Sequence, residues 1–379
     1  MSELTEWIEL QKRLEVTTAL TGVPPSISFE RRRMITPGTT SLAFGGLLWA
    51  DPQGAIPTFS GTPMALSMLA WLREKREGGT DSPLSTLSSE LAGILTLVAD
   101  RRIEVLDEVS IRMEGTDDAI FLPIHHVLDG RLVSPIEKPE TVEPGVRNAI
   151  AQICSLSEKE RLTLERAISL HYAATLLFDR DIAAAYVLVV AGLETLASHF
   201  GHPTTGWSNW ESAKEWDLFI ESNHLTSSQA TSLRAQLMKD RHLRLKQTFR
   251  DYVESSLPDV FWDRIWREWT YELDIQTGAW KLDLADGWSE TSTIGDRLAR
   301  DRTALRKSLG RAYDARSGFV HAGRRTIDFV SSLPVGRVEL GGLPSFGVLR
   351  SILAELILKE LSVRSKEYPM PKSWIGPAD

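Results

Sequence analysis

The sequence predicts a mainly α-helical protein, with an N-terminal α+β part ahead of a C-terminal helical bundle. Three observations lead there. Beyond residue 140, apolar residues recur at three- and four-residue steps over long stretches. Before it, short apolar runs alternate with proline and glycine, as strands and turns do. Between them lies "SPIEKPETVEPG", residues 134–145, rich in proline and acid, which reads as a linker. The expected domains are 1–140 and 141–379.

The elements follow in order. Glu3 to Leu20 reads as a helix, and residues 24–61 as short strands and turns. Thr62-Pro63 resembles a cap and a first-turn proline, so "MALSMLAWLREKREGG" is expected to be a helix closed by glycine. "LSSELAGILTLVAD" is a second helix, while "RRIEVLDEVSIRM" and "AIFLPIHHVL" have strand character. His125 and His126 in the latter would point to opposite faces of a strand, a poor arrangement for one shared ligand.

In the second part, Ser157 and Glu160 have capping-box spacing ahead of "RLTLERAISLHYAATLLF". "DRDIAAAYVLVVAGLETLASHFG" is apolar on every side and should be buried on every side, with Glu194 its one carboxylate after the opening turn. Residues 202–295 hold eight of the twelve tryptophans and read as an elaboration of helices and loops around a satellite core. "GDRLARDRTALRKSLGRAYDARSGFVHAG" is a long helix, and "FGVLRSILAELILKELSV" is the last.

Composition narrows the function. Of 379 residues, 42% are hydrophobic and 25% charged, as in ordinary globular chains. The single cysteine, Cys154, excludes a disulfide framework within the chain and a cysteine-rich metal site. "MSELTEWIELQKRLEV" does not read as a secretory signal, and the uncharged run Ile182 to Leu193 is too short to span a bilayer, so a cytoplasmic setting without membrane association is expected. No P-loop, dinucleotide fingerprint, nucleophile elbow or H-E-x-x-H is present, and neither a cofactor nor a metal is expected.

Net charge is −8, yet residues 297–325 carry nine Lys/Arg against two acids, and residues 234–250 carry six against one. Two basic segments in an acidic chain suggest a path for a polyanion. Arg306, Lys307, Arg311, Arg324 and Arg325 are the expected RNA contacts; a solvated basic face is the plain alternative.

"YDARSGFVHAG", residues 313–323, carries the sharpest feature. Leu305, Leu309 and Ala312 form an apolar stripe, and Arg316 stands where the next apolar residue belongs. A cation there needs a buried partner, for which Glu194 is suited, or it borders a cleft. His321 lies about 140° further round the helix, on a face with Ser317 and Asp314. This pairing suits RNA cleavage. A ribose 2′-hydroxyl attacking its phosphate needs proton transfer, which histidine supplies near neutral pH. The charge on the phosphoryl oxygens needs a fixed cation, which arginine supplies. A structural ion pair and a carbonyl-capping histidine would explain the same residues without chemistry.

These residues resemble the signature of the HEPN superfamily, an arginine followed after four to six residues by a histidine. The closest likeness is to the Apea-like group, through Tyr313, "RS" at 316–317, an apolar pair, and "HAG" at 321–323. "RAISLHYAATLLFDRDIAAAYVLVVAGLETLA" resembles the group's first helix pair, with Glu194 at its glutamate position, and "FRDYVESSLPDVFW" a middle helix; the likeness covers roughly 150–365. The resemblance implies a HEPN-type bundle that forms a homodimer through its motif helices, and a metal-independent endoribonuclease of a bacterial antiviral-defence or toxin system acting on tRNA or mRNA. Arg316, His321 and Ser317 would be catalytic, with Glu194, Tyr313 and Asp314 supporting. Residues 1–140 would sense a signal or an activating partner. Members without catalysis, which bind RNA or protein, keep a second reading open.

Overall fold

The computed structural model of the chain describes residues 3–21, 27–37, 42–44, 47–56, 64–74, 87–106, 132, 136, 138–178, 180–265, 269–273, 276, 280–284, 291, 293–297, 302–323, 342–368 and 370–371. Across them the protein is mostly helical, with an antiparallel sheet near the N-terminus.

Helix α1 (Glu3–Thr21) buries Leu4, Trp7, Ile8 and Gln11, a stripe at helical spacing. It is tied to α2 (Leu87–Ala99) by reciprocal caps. Glu3 accepts from the Leu87 amide at 2.8 Å, and Glu90 from the Leu4 amide at 2.9 Å. Each carboxylate satisfies an amide that the other helix start leaves unpaired and sits at the positive end of that helix dipole.

The sheet has strand order β2-β3-β4-β1-β5, built from β1 (Ile27–Pro37), β2 (Leu42–Phe44), β3 (Leu47–Ile56), β4 (Met64–Glu74) and β5 (Glu104–Val105). Its neighbours pair antiparallel throughout. β4 corrects the sequence reading, which expected a helix from residue 64. Trp71, Leu69 and Ser67 are buried at period two, and β4 lies between β1 and β3, where both of its edges are hydrogen-bonded. The cap-like Thr-Pro and the terminal glycines are local signals that this sheet position overrides. Of the two later strand-like segments, only residues 101–106 are described; "AIFLPIHHVL", with His125 and His126, lies outside the described residues.

The second half of the expected linker is helical. A 3₁₀ turn, Pro139–Thr141, leads into α3 (Val142–Ser155). Pro144 falls in its first turn, where the lost amide costs no intrahelical bond. Gly145 lets α3 approach Val98, whose Cγ1 would stand 2.6 Å from a Cβ there. Buried apolar residues form one cluster reaching from Leu4 through α2 and α3 to Leu361.

Two long antiparallel helices form the centre of the bundle, α4 (Glu158–Leu177) and α5 (Ile182–Phe200). Ser157 caps α4 by accepting from the Glu160 amide, and Asp181 caps α5 by accepting from Ala184 at 3.1 Å. α5 is the one helix among the described residues long and apolar enough to cross a membrane. Its apolar surface packs instead against α4, α8 (Leu245–Ser256), α11 (Arg302–Ala322) and α12 (Phe346–Arg364). Where α5 meets α12, Gly192 leaves room for Leu353.

The Trp-rich elaboration holds α6 (Ala213–Ser222), α7 (Ser227–Lys239), short helices α9 (Asp259–Trp262) and α10 (Ile294–Arg297), and a hairpin of β6 (Trp269–Leu273) with β7 (Trp280–Leu284). The hairpin was not expected from the sequence. Trp210 and Trp262 are buried, and Trp207 donates to Asp217, which also binds Arg234. Trp266 and Trp288 lie outside the described residues.

Candidate functional site: a basic cleft beside the motif helix

α11 buries Leu305, Ser308, Leu309 and Ala312, and Arg316 continues that stripe as expected. Its guanidinium Nη2 lies 3.0 Å from Glu194 Oε2 on α5. Both side chains are mostly covered, 22% and 17% exposed, so the attraction is poorly screened. The buried Nε of Arg316 has no acceptor among the described residues. Tyr313 packs on Phe249 with centroids 5.7 Å apart; burial first, then the Glu194 carboxylate, push its phenol up. Glu194 is thus held by a guanidinium of α11, with the Tyr313 phenol of the same helix close enough to feel its charge.

This pair lies at one wall of a cleft of about 540 Å³. Lys159, Leu162, Thr163 and Arg166 line it from α4, at i, i+3, i+4 and i+7, which is one helix face. Ala191, Glu194, Thr195, Ser198 and His199 line it from α5. Three cations therefore meet one carboxylate. Lys159 and Arg166 are exposed and make no ion pair among the described residues. Burial, then Lys159 and Arg364, hold His199 below the ordinary histidine value, against Glu160 and Glu360. Sequence reasoning missed Lys159, Arg166 and His199. They stand more than a hundred residues from Arg316, so no local pattern joins them to it.

His321 is placed differently. It is exposed in the last turn of α11, does not line the cleft, and has no hydrogen bond or ion pair among the described residues. Helical geometry already separated it from Arg316. Among the described residues, no hydrogen bond joins His321 to the carbonyls it was expected to cap in the capping alternative. Gly323, at φ +59°, then ends the helix in the left-handed region that glycine adopts readily. Among the described residues little covers the face around His321: Val320 is 50% exposed, Ser317 is half-buried, and a Cβ on Gly318 would meet none of them within 4 Å.

The other expected site residues divide. Asp314 is exposed and bound to Lys246 at 2.6 Å, away from Arg316. Arg306 is no open RNA contact, because it binds Asp251 at 2.5 Å, Glu254 at 2.7 Å and Glu211 at 2.8 Å. Lys307 and Arg311 are exposed and have no such partners among the described residues. Arg324 and Arg325 lie outside the described residues. The second basic segment is also largely committed within the fold. Arg234 binds Asp217, Arg250 binds Glu211, and buried Arg244 donates to the Thr204 and Met238 carbonyls. These acids lie far off in sequence or on other elements, which local charge counting cannot register.

Among the described residues, no group of three His, Cys, Asp or Glu side chains is placed to hold a metal ion. No protein-family model matches the chain, and neither the curated proteins nor the solved structures contain a match to it.

Proposed function

We propose that the protein is a HEPN-type endoribonuclease that cleaves RNA by attack of a ribose 2′-hydroxyl, acting in the cytoplasm in a bacterial defence or toxin role. The carrying observation is Arg316, held by Glu194 at the edge of a cleft with three cations, with an unengaged histidine on the same helix. In this reading Arg316 holds the non-bridging phosphoryl oxygens and offsets their growing charge. His321 takes the 2′-hydroxyl proton or returns one to the leaving 5′-oxygen. Ser317 hydrogen-bonds the phosphate. Glu194 and Tyr313 fix the arginine rotamer, so that little reorganisation accompanies reaction.

His321 does not face the cleft, so the reading requires a second surface across α11. A second copy related by a two-fold axis would lay Gly318, Val320 and His321 against their counterparts and bring each histidine toward the opposite arginine. A second reading, an RNA-binding module without cleavage, is favoured by the same separation of His321 from Arg316.

The test is incubation of the purified chain with total tRNA and with mRNA in EDTA. Discrete fragments that vanish with His321→Ala support the nuclease. RNA that binds and remains whole, with folded protein, supports the module.

A further inference from the structure

The cleft has charge in excess of what Glu194 balances. Lys159 and Arg166 project from one face of α4, separated by seven residues, a rise of about 10 Å. That distance lets each take its own phosphate. Between them lies Leu162, 57% exposed, an apolar surface amid cations. Arg316 faces them from α11, and His199 closes one end from α5. The fold has no other use for these cations among the described residues. Arg161 and Arg364, their neighbours, are tied to Glu165 and Glu360, and Lys159 and Arg166 are not.

We propose that this cleft is a subsite for single-stranded RNA, in which Lys159 and Arg166 hold successive phosphates beside the one at Arg316, and Leu162 contacts a base or ribose. The single strand follows from the exposed Leu162 between the two cations, an apolar surface that an unpaired base can cover and a duplex, whose bases face inward, cannot. RNA as the strand rests on the nuclease reading above. The phosphate contacts do not. Electrostatics here select the polyanion, and the apolar surface at Leu162 favours its unpaired form.

The experiment uses the full chain carrying His321→Ala, so that probe RNA survives, and reads binding by fluorescence anisotropy across a salt series. The probes are labelled oligouridylate and a labelled RNA duplex. Lys159→Gln and Arg166→Gln are added singly; both positions are exposed, and thermal melts verify folding. Each loss of a phosphate contact should weaken oligouridylate binding roughly fivefold at 0.1 M salt and lower the log–log salt slope by about 0.7. Unchanged affinity and slope in both folded variants overturns the subsite. So does tighter binding of the duplex than of the oligouridylate, or no binding of either probe. The two proposals fail separately. Binding that depends on Lys159 and Arg166 in a protein that never cleaves RNA removes the nuclease and leaves the subsite. Cleavage with binding indifferent to both residues does the reverse.

Discussion

Acid should destabilise the protein through one buried histidine. His171 on α4 is fully buried, with Nε2 at 3.4 Å from Arg350 Nη1, and Arg350 reaches Asp100 at 2.7 Å. Burial, then the Arg350 charge, push His171 down to about 3, from 6.5. In the unfolded chain it takes up a proton as pH falls through 6.5, while in the folded chain it stays neutral until about 3. Stability from this group is therefore fully present above 6.5 and drains as pH falls below it, by about 1.4 kcal/mol per unit. Between pH 7 and pH 5 the loss integrates to about 2 kcal/mol. His171→Gln keeps a hydrogen-bonding group toward Arg350 and does not titrate. Urea unfolding of both proteins at pH 7 and pH 5 isolates the histidine, since other titrations are shared. The wild type should lose about 2 kcal/mol more than the variant over that interval. Equal losses in the two proteins would refute the assignment of a neutral buried His171.

Further outcomes are expected at the site. His321→Ala should abolish RNA cleavage and leave the urea midpoint unchanged, because the exposed side chain packs on little; full cleavage by the folded variant removes His321 as proton carrier. Glu194→Gln should cost about 1–2 kcal/mol, less than a fully buried pair, and reduce cleavage by about tenfold, measured on the same preparation. A stable variant with full activity would show that Arg316 needs no anchor. Mixing Arg316→Ala with His321→Ala chains should restore part of the cleavage lost by each, and no restoration in a verified mixed dimer counts against the composite site. Gly192→Val should destabilise by about 2 kcal/mol or more, because even a Cβ there would lie 2.7 Å from the fully buried Leu353 Cδ2; an unshifted thermal midpoint would mean that α5 and α12 can move apart.

Helix ends and helix faces were legible because their causes are local. Ser157 caps α4, Gly323 ends α11, and the stripe through Leu305, Leu309 and Ala312 leads to Arg316. The ion pair with Glu194 was legible too, since a carboxylate in an apolar helix and a cation in an apolar stripe each need a partner. β4 was not legible, because its cap-like start and glycine end imitate a helix while strand neighbours decide the outcome. The β6–β7 hairpin could have been found. "WTYEL" and "WKLDL" alternate apolar and polar residues strictly, a period-two signal hidden by the helices around it. Charge was misread where it was counted along the chain. Arg306 lies in a basic tract and turns onto three carboxylates from other elements, whereas Lys159 and Arg166 lie in unremarkable sequence and face the cleft.

The open end of α11 has a kinetic consequence. A side chain in a final helical turn, followed by a left-handed glycine and without a hydrogen bond or ion pair among the described residues, shares in the opening of that turn. If His321 is to meet a scissile bond, that turn must be stilled by whatever closes over it, and ordering one such side chain costs about 0.5–1.5 kcal/mol. A second copy supplies the closing surface only in proportion to its concentration. Turnover per chain would then climb with enzyme concentration before reaching a plateau, and dilution alone would silence the protein without any inhibitor.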